Sequence, residues 1–196
     1  MTAEAGAASG SYTVRRVRAE EWRRLRELRL EALRDPIAHL AYLDRIEVAL
    51  ERPDSYWQER TRAAASGTTV GQFVAIDEHG YLAGTVTALV TAPGEPDYIG
   101  ETSPGMRAAV VGVYVRPGHR GSGVLQAVLS ETEAWLRGIG VPRVRLHVNE
   151  HNLRAQGAYR KCGYVDTGVR VEMVDGVNHE MVRDLPSGQG DSYDRS

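Results

Sequence analysis

Apolar residues recur along the chain with two periods, and the change from one period to the other predicts where helices and strands lie. After a short strand from residue 12, apolar residues at helical spacing predict a helix over about 19–34, which Asp35 and Pro36 end. The mixed stretch that follows is expected to be helical in part. A further helix is expected to begin near Pro53, because the fixed φ of proline suits a first helical turn.

The rest of the chain alternates strands with helices. The sequence DEHG between two apolar runs is typical of a hairpin turn, and the run 108–115, apolar on both faces, predicts a central strand. The predicted elements are strands over 70–76, 81–90, 108–115 and 143–148, helices from about 121 to 137 and from 152 to 162, and two closing strands. This order predicts a mixed α/β domain over residues 12–185.

Both ends of the chain lack this patterning. Residues 1–11 and 186–196 are rich in small and polar residues, so they are predicted to be disordered tails. The start also lacks the basic and apolar regions of a secretory signal. We therefore expect no export.

Composition and charge exclude several classes of function. The 196 residues carry 24 basic and 26 acidic side chains, a net charge of −2, which argues against nucleic acid as the main partner. The longest nearly apolar run, 108–115, is far shorter than the roughly 20 residues that span a bilayer. The single cysteine, Cys162, fits a reducing compartment, so we expect a cytoplasmic protein in which Cys162 is a small packing residue.

The segment VYVRPGHRGSGVLQAVL places a glycine-containing turn between a buried strand and an amphipathic helix. Unpaired N–H groups at a helix start attract anions, Gly121 and Gly123 keep side chains away, and Arg120 can add a charged hydrogen bond. The other interpretation is an ordinary glycine turn. A dinucleotide fingerprint is excluded because Gln126 stands where glycine is needed, and the Gly-Lys of a P-loop is missing.

Two spaced motifs resemble the GCN5-related N-acetyltransferases (GNAT). In the first, Arg120 and Gly123 match the family's Arg/Gln-x-x-Gly-x-Gly/Ala loop after a strand ending in V-x-P, although Leu125 stands where Gly or Ala is usual. In the second, the chain matches the signature N-x-x-A-x-x-x-Y-x-K-x-G-F/Y at Asn152, Ala155, Tyr159, Lys161, Gly163 and Tyr164. The resemblance covers roughly residues 12–185.

The resemblance implies a fold and a cofactor. The fold is a central mixed β-sheet with two splayed parallel strands, here 108–115 and 143–148, flanked by helices. Acetyl-CoA is the implied acetyl donor, with its pantetheine between those strands. The implied cofactor-binding residues are Val113, Val115, Arg120, Gly121, Ser122, Gly123, Val124, Leu125 and Asn152.

The resemblance also implies catalytic residues. Tyr159 would be the general acid that gives a proton to the departing thiolate. In ribosomal-protein N-terminal acetyltransferases a Glu lies in a Leu-Glu-Val triplet twelve residues before this Tyr, and His147 holds that place here, since 159 − 147 = 12. His147 is therefore the candidate general base. The alternatives are Glu101, Asp97 and Glu47, or a solvent-delivered neutral amine.

In this family the N-terminal helices usually form one wall of the acceptor site. Here that region contains Tyr42, Asp44 and Glu47, which could attract a cationic amine. The alternative is a solvated helix face. We expect no metal site, because the strand that holds His147 ends before His151 and helical ligand spacing is lost.

The function implied is acetyl transfer from acetyl-CoA to a primary amine of a small molecule or of a peptide N terminus. Neither nucleic acid nor membrane is an expected partner, and a homodimer is compatible with the resemblance. The alternative is a catalytically weak acyl-CoA-binding sensor or interaction module. A weaker hypothesis, nucleic-acid contact, rests on residues 15–34, which hold eight Arg and four acids and which we interpret as a charged helix face.

Overall fold

In residues 11–185, the part of the chain described by this computed structural model, seven strands form one mixed sheet with helices on both faces. Helices α1 to α5 cover Trp22–Leu33, Ile46–Glu51, Asp54–Ser66, Val124–Gly138 and Leu153–Lys161. Strands β1 to β7 cover Thr13–Arg16, Val70–Ile76, Leu82–Thr91, Arg107–Val115, Arg143–Asn149, Val165–Met173 and Gly176–Asp184. The strand order in the sheet is β1-β2-β3-β4-β5-β7-β6.

The two faces of the sheet bury separate clusters of apolar side chains. Helices α4 and α5 pack in the larger cluster with Phe73 and Ala75 of β2, whereas α1 and α3 pack in a second cluster with Val74. Since successive residues of a strand point to opposite faces, the two clusters lie on opposite sides of the sheet.

The predicted fold class and the order of elements are confirmed, with one added short helix, α2, in the mixed stretch. Helix α4 begins at Val124, three residues after its predicted start near Gly121. Gly121 and Gly123 have φ of +82° and +86°, a left-handed conformation that cannot continue a right-handed helix. The predicted tails lie outside the described residues, apart from residue 11, and the domain limits stay a prediction.

One junction in the sheet is parallel, and it is short. Strands β4 and β5 pair only at Ala108 with Val144 and at Ala109 with Arg145, whereas the other neighbouring strands pair antiparallel. Towards their carboxyl ends β4 and β5 are unpaired with each other. A gap therefore opens in the middle of the sheet.

A bulge in β4 accompanies this divergence. Thr85 of β3 pairs with Tyr114 and Thr87 pairs with Val111, so two residues of β4, Gly112 and Val113, oppose one residue of β3. Gly112 has a φ of +60°, which a residue with a side chain adopts only at a cost. Such a bulge bends the strand and re-aims the polar groups next to it.

Helix α5 is fixed at both ends. The Asn152 side chain accepts a hydrogen bond from the Ala155 N–H at 3.2 Å, as an N-cap does. At the other end Gly163, at a φ of +85°, donates to the Arg160 carbonyl, and Tyr164 donates to the Tyr159 carbonyl, both at 3.0 Å. This helix end holds Tyr159 in the last turn, beside the larger apolar cluster.

Within residues 11–185, no helix combines the length and the apolar character needed to cross a membrane.

The bulge leads to a prediction about stability. Replacing Gly112 by Ala adds a Cβ that has room but forces a strained φ, so we expect about 1 kcal/mol less stability in urea unfolding. The matched control is Gly157→Ala in α5, where helix propensity predicts a gain of about 0.5–1 kcal/mol. Equal effects at the two positions would contradict a conformational role for Gly112.

Candidate active site

A cavity of about 700 Å³ lies where β4 and β5 diverge. Its walls come from α1, the segment 35–44, α3, the two diverging strands, the start of α4, and α5. The volume is within the range of about 300–1,000 Å³ that is usual for small-molecule sites. Both sequence motifs meet here, because Gly121 of the first and Tyr159 of the second line the same cavity.

The glycine turn before α4 presents main chain rather than side chains to the outside. A Cβ added at Gly121 or Gly123 would meet no atom within 4 Å. The Ser122 hydroxyl instead bonds inward, to the His119 carbonyl at 2.7 Å, and lies 3.0 Å from the Tyr12 hydroxyl. Val124 is buried in the core, and Leu125 lines the cavity.

Arg120 holds this turn against the end of α1. Its guanidinium contacts the Asp35 carboxylate at 2.5 Å, and its Nε donates to the Val115 carbonyl at 2.9 Å. The side chain is therefore fixed by protein partners across the mouth of the cavity. Contact of Arg120 with a phosphate stays a prediction.

The backbone groups of Val113 and Val115 point into the gap. The Arg116 N–H donates to the Ala83 carbonyl of β3, and Tyr114 is paired with Thr85 of β3. Because the N–H and C=O groups of successive strand residues point to opposite sides, those of Val113 and Val115 point towards β5. Their carbonyls already accept hydrogen bonds, from the Tyr42 hydroxyl at 2.7 Å and from Arg120. Their N–H groups are the donors to consider for a ligand.

Tyr159 lies in the cavity wall with its side chain largely buried. Burial raises the pKa of its hydroxyl well above the ordinary value of 10, so the group stays protonated at neutral pH. Within residues 11–185 no protein group forms a hydrogen bond with this hydroxyl. It is therefore a proton donor that a ligand in the cavity can use.

Asn152 also lines the cavity, and its side chain is engaged with the protein. In addition to capping α5, its amide donates to the Leu40 carbonyl at 3.4 Å. The residue joins α5 to the segment that follows α1. Its predicted contact with the cofactor stays a prediction.

His147 is buried, and it lines the cavity beside Tyr98. Its Nδ1 is hydrogen-bonded to the Tyr98 hydroxyl, which lines the cavity, while its Nε2 is buried, unbonded and 3.9 Å from Glu180. Burial, together with the nearby Arg145 charge, lowers the pKa of His147 below its ordinary value of 6.5. The imidazole is therefore neutral at pH 7.

The three rival carboxylates lie outside the cavity walls. Arg145 contacts Asp97 and binds Glu101 at 2.7 Å, which lowers the pKa of Glu101. Asp97 also accepts the Ile99 N–H at 3.0 Å, so it shapes its own loop. Glu47 is exposed and paired with Arg45 at 3.5 Å.

Attraction of a cationic amine by Asp44 and Glu47 stays a prediction, which the contacts of both residues disfavour. Asp44 does line the cavity, but Arg52 binds its two oxygens at 2.8 and 2.9 Å and neutralises its charge. Glu47 lies on the exposed face of α2. Tyr42, the third residue of that set, is in the cavity wall, with its hydroxyl bonded to Val113.

Among the residues that the structure describes, no three His, Cys, Asp or Glu side chains gather in a way that could hold a metal ion. His151 is exposed beside Glu150, whereas His147 is buried. Cys162 is buried, and burial raises the pKa of its thiol, which suits a packing residue.

Sequence reasoning missed Tyr98 and Arg29. Tyr98 lies in an irregular loop, where no periodicity indicates which side chains turn inward. For Arg29 the sequence does indicate that the side chain turns inward. Positions 25, 28, 29 and 32 have the i, i+3, i+4, i+7 spacing of a buried helix face, and the other three are apolar.

Comparisons with known proteins agree with this geometry. The model of the acetyltransferase (GNAT) family matches residues 22–164. An aminoglycoside N(6')-acetyltransferase type 1 of Stenotrophomonas maltophilia is 32% identical over 71 residues, 36% of this chain and 46% of that protein. An uncharacterised N-acetyltransferase of Mycobacterium tuberculosis is 38% identical over 77 residues, 37% of this chain and 49% of that protein. The chain thus spans about half the length of the curated relatives it matches.

Solved structures share the fold. A phosphinothricin acetyltransferase of Sinorhizobium meliloti in complex with acetyl-CoA has a TM-score of 0.67 at 19% identity, over 91% of this chain and 90% of that one. A spermidine N-acetyltransferase of Vibrio cholerae in complex with CoA and spermine has a TM-score of 0.64 at 18% identity, over 90% of this chain and 96% of that one. At these identities the likeness shows the fold alone.

Proposed function

The chain belongs to the acetyltransferase (GNAT) family, and from this premise we propose that it transfers an acetyl group from acetyl-CoA to a primary amine of a small molecule or of a peptide N terminus. One observation carries the proposal. The gap between β4 and β5 joins the glycine turn to a cavity that has a protonated hydroxyl, Tyr159, in one wall and a buried neutral imidazole, His147, in another.

The donor fits the residues present. The main chain from Gly121 to Leu125 offers N–H groups at the start of α4, and the two glycines leave room for a pyrophosphate. The N–H groups of Val113 and Val115 face the unpaired edge of β4, where an extended pantetheine can bond as a further strand would. Acetyl-CoA would supply the acetyl group as a thioester.

Tyr159 acts as the general acid. Its raised pKa keeps the proton on the hydroxyl until negative charge develops on the departing sulfur, to which the proton is then given. In the balanced reaction one C–N bond forms, one C–S bond breaks, the sulfur gains the Tyr159 proton and the amine loses one. Afterwards solvent returns a proton to Tyr159 and takes up the proton that came from the amine.

His147 takes the amine proton through Tyr98. Both residues line the cavity; the Nε2 of His147 is buried without a partner, and its Nδ1 is bonded to the Tyr98 hydroxyl. The Tyr98 oxygen accepts the proton of the amine while its own proton passes to Nδ1. Burial raises the pKa of Tyr98, so its hydroxyl relays a proton without resting as an anion.

The decisive experiment combines calorimetric titration with acetyl-CoA and a thiol-release assay over a panel of amines. Binding followed by thiol release and N-acetylated product supports the proposal. Binding without product for any amine supports the alternative, an acyl-CoA-binding sensor. Absence of binding contradicts both.

Gly123→Asp tests the pyrophosphate position. The substitution brings a side chain and a negative charge to the start of α4, and we expect the affinity for CoA to fall at least tenfold. Gly123→Ala is the control, because it brings the same strained φ without the charge. If both variants bind CoA as tightly as the parent does, the pyrophosphate lies elsewhere.

Tyr159→Phe removes only a hydroxyl. We expect the cavity and CoA affinity to persist and kcat to fall by about 10²-fold or more, the lower range of general-acid effects. Tyr81→Phe, at an exposed position outside the cavity, should leave kcat unchanged. Unchanged turnover of Tyr159→Phe, with chemistry shown to limit the rate, would reduce Tyr159 to a packing residue.

The relay predicts a pH profile. Because the His147 pKa is lowered, the decline of kcat/KM on the acid side should lie below pH 6.5, and it should disappear in His147→Gln. Tyr98→Phe should remove the same decline, and the double variant should lose no more rate than either single variant. An unchanged acid decline in His147→Gln, at half the parent rate or more, would exclude the relay.

A further inference from the structure

We propose that the amine acceptor also carries a carboxylate, and that Arg29, with Arg60 beside it, binds this carboxylate in the cavity. The inference rests on the proposed function and narrows its substrate class. It is carried by the charges of one wall of the cavity, formed by α1, the segment that holds Tyr42 and Asp44, and α3.

Positive charge is in excess around the cavity. Five arginines and three aspartates line it. Two of the arginines, Arg120 and Arg154, lie by the glycine turn and on α5, where donor phosphates are expected. The other three, Arg29, Arg52 and Arg60, share the wall formed by α1, the segment 35–44 and α3 with Asp44, because Asp35 at the start of that segment is paired with Arg120.

Asp44 does not neutralise that wall. Arg52 binds both of its carboxylate oxygens at 2.8 and 2.9 Å, whereas Arg29 makes one long contact with it at 3.5 Å. Within residues 11–185 this is the only hydrogen bond of the Arg29 side chain. Arg29 and Arg60 therefore leave a surplus of two positive charges that no side chain in the wall balances.

Arg29 is held in position for a ligand. Its guanidinium stacks on the Tyr42 ring at 4.5 Å, and its side chain is only 21% exposed. Burial lowers the Arg29 pKa despite the opposing effects of Tyr42 and Asp44, and the nearby Arg60 charge lowers it further. A planar guanidinium with free N–H groups matches a carboxylate, and neutralisation by one would relieve the unfavourable charge.

The location sets the size of the acceptor. The Tyr42 ring contacts Arg29, and its hydroxyl bonds to the Val113 carbonyl, next to the expected position of the acetyl group. One tyrosine ring thus separates the carboxylate position from the reacting amine. An amino acid or a similarly short amino acid derivative spans such a distance. The acceptors named for two relatives, aminoglycosides and spermidine, are polycations, which this wall disfavours.

The turnover experiment compares three groups of acceptors: free amino acids, the corresponding amino acid amides, and spermidine. We expect kcat/KM for the preferred amino acid to exceed that for its amide by about 10- to 100-fold, the usual range for a charged hydrogen bond. Arg29→Gln should abolish this preference mainly through KM and leave the KM for acetyl-CoA unchanged. Arg29→Lys should restore part of it. Arg45→Gln, an exposed arginine outside the cavity, is the control for net charge.

A second measurement keeps this inference separate from the proposed function. The CoA-loaded protein is titrated by calorimetry with N-acetyl amino acids and with their amides, which need no turnover. Tighter binding of the carboxylates that Arg29→Gln removes supports the subsite even if no amine is acetylated. Equal binding of acids and amides, or acetylation of spermidine above every amino acid, overturns it.

Discussion

The short parallel contact between β4 and β5 is the constraint on which the rest of the site depends. Only Ala108 and Ala109 pair with β5, so the strands part after two positions and expose unpaired main chain. Arg145, at the second paired position, binds Glu101 from the loop before β4 and Glu180 from β7. The junction that separates the two halves of the sheet is therefore also the point where side chains hold them together.

Charged residues around the cavity serve mainly to hold its walls. Arg120 joins the glycine turn to the end of α1, and Arg52 fixes the segment with Asp44. Such partly buried pairs stay in place because loss of one partner would leave a charge without compensation. Arg29 differs from them in making one long contact, and for that reason it is informative about the ligand.

The sequence was sufficient for the fold and for the two motifs, because both depend on local patterns. Strand β2 has its predicted bounds, and α4 differs at its start only because two glycines adopt left-handed φ. The partners of side chains were beyond prediction. Arg120 and Asp35 are 85 residues apart, and Tyr98 meets His147 across 49 residues. Spacing placed His147 near the site, but only the packed structure shows its Nδ1 bonded to Tyr98 and its Nε2 buried without a partner.

The division between main chain and side chain in this cavity has an evolutionary consequence. The proposed donor-binding site consists of N–H groups that every residue except proline possesses, so a half-buried side chain such as that of Leu125 can change while donor recognition persists. The proposed acceptor-binding wall, with Arg29, Asp44 and Arg60, consists of side chains, and one substitution there changes its charge. Acceptor choice can therefore diverge between descendants of this chain without loss of the donor, which makes the scaffold readily evolvable.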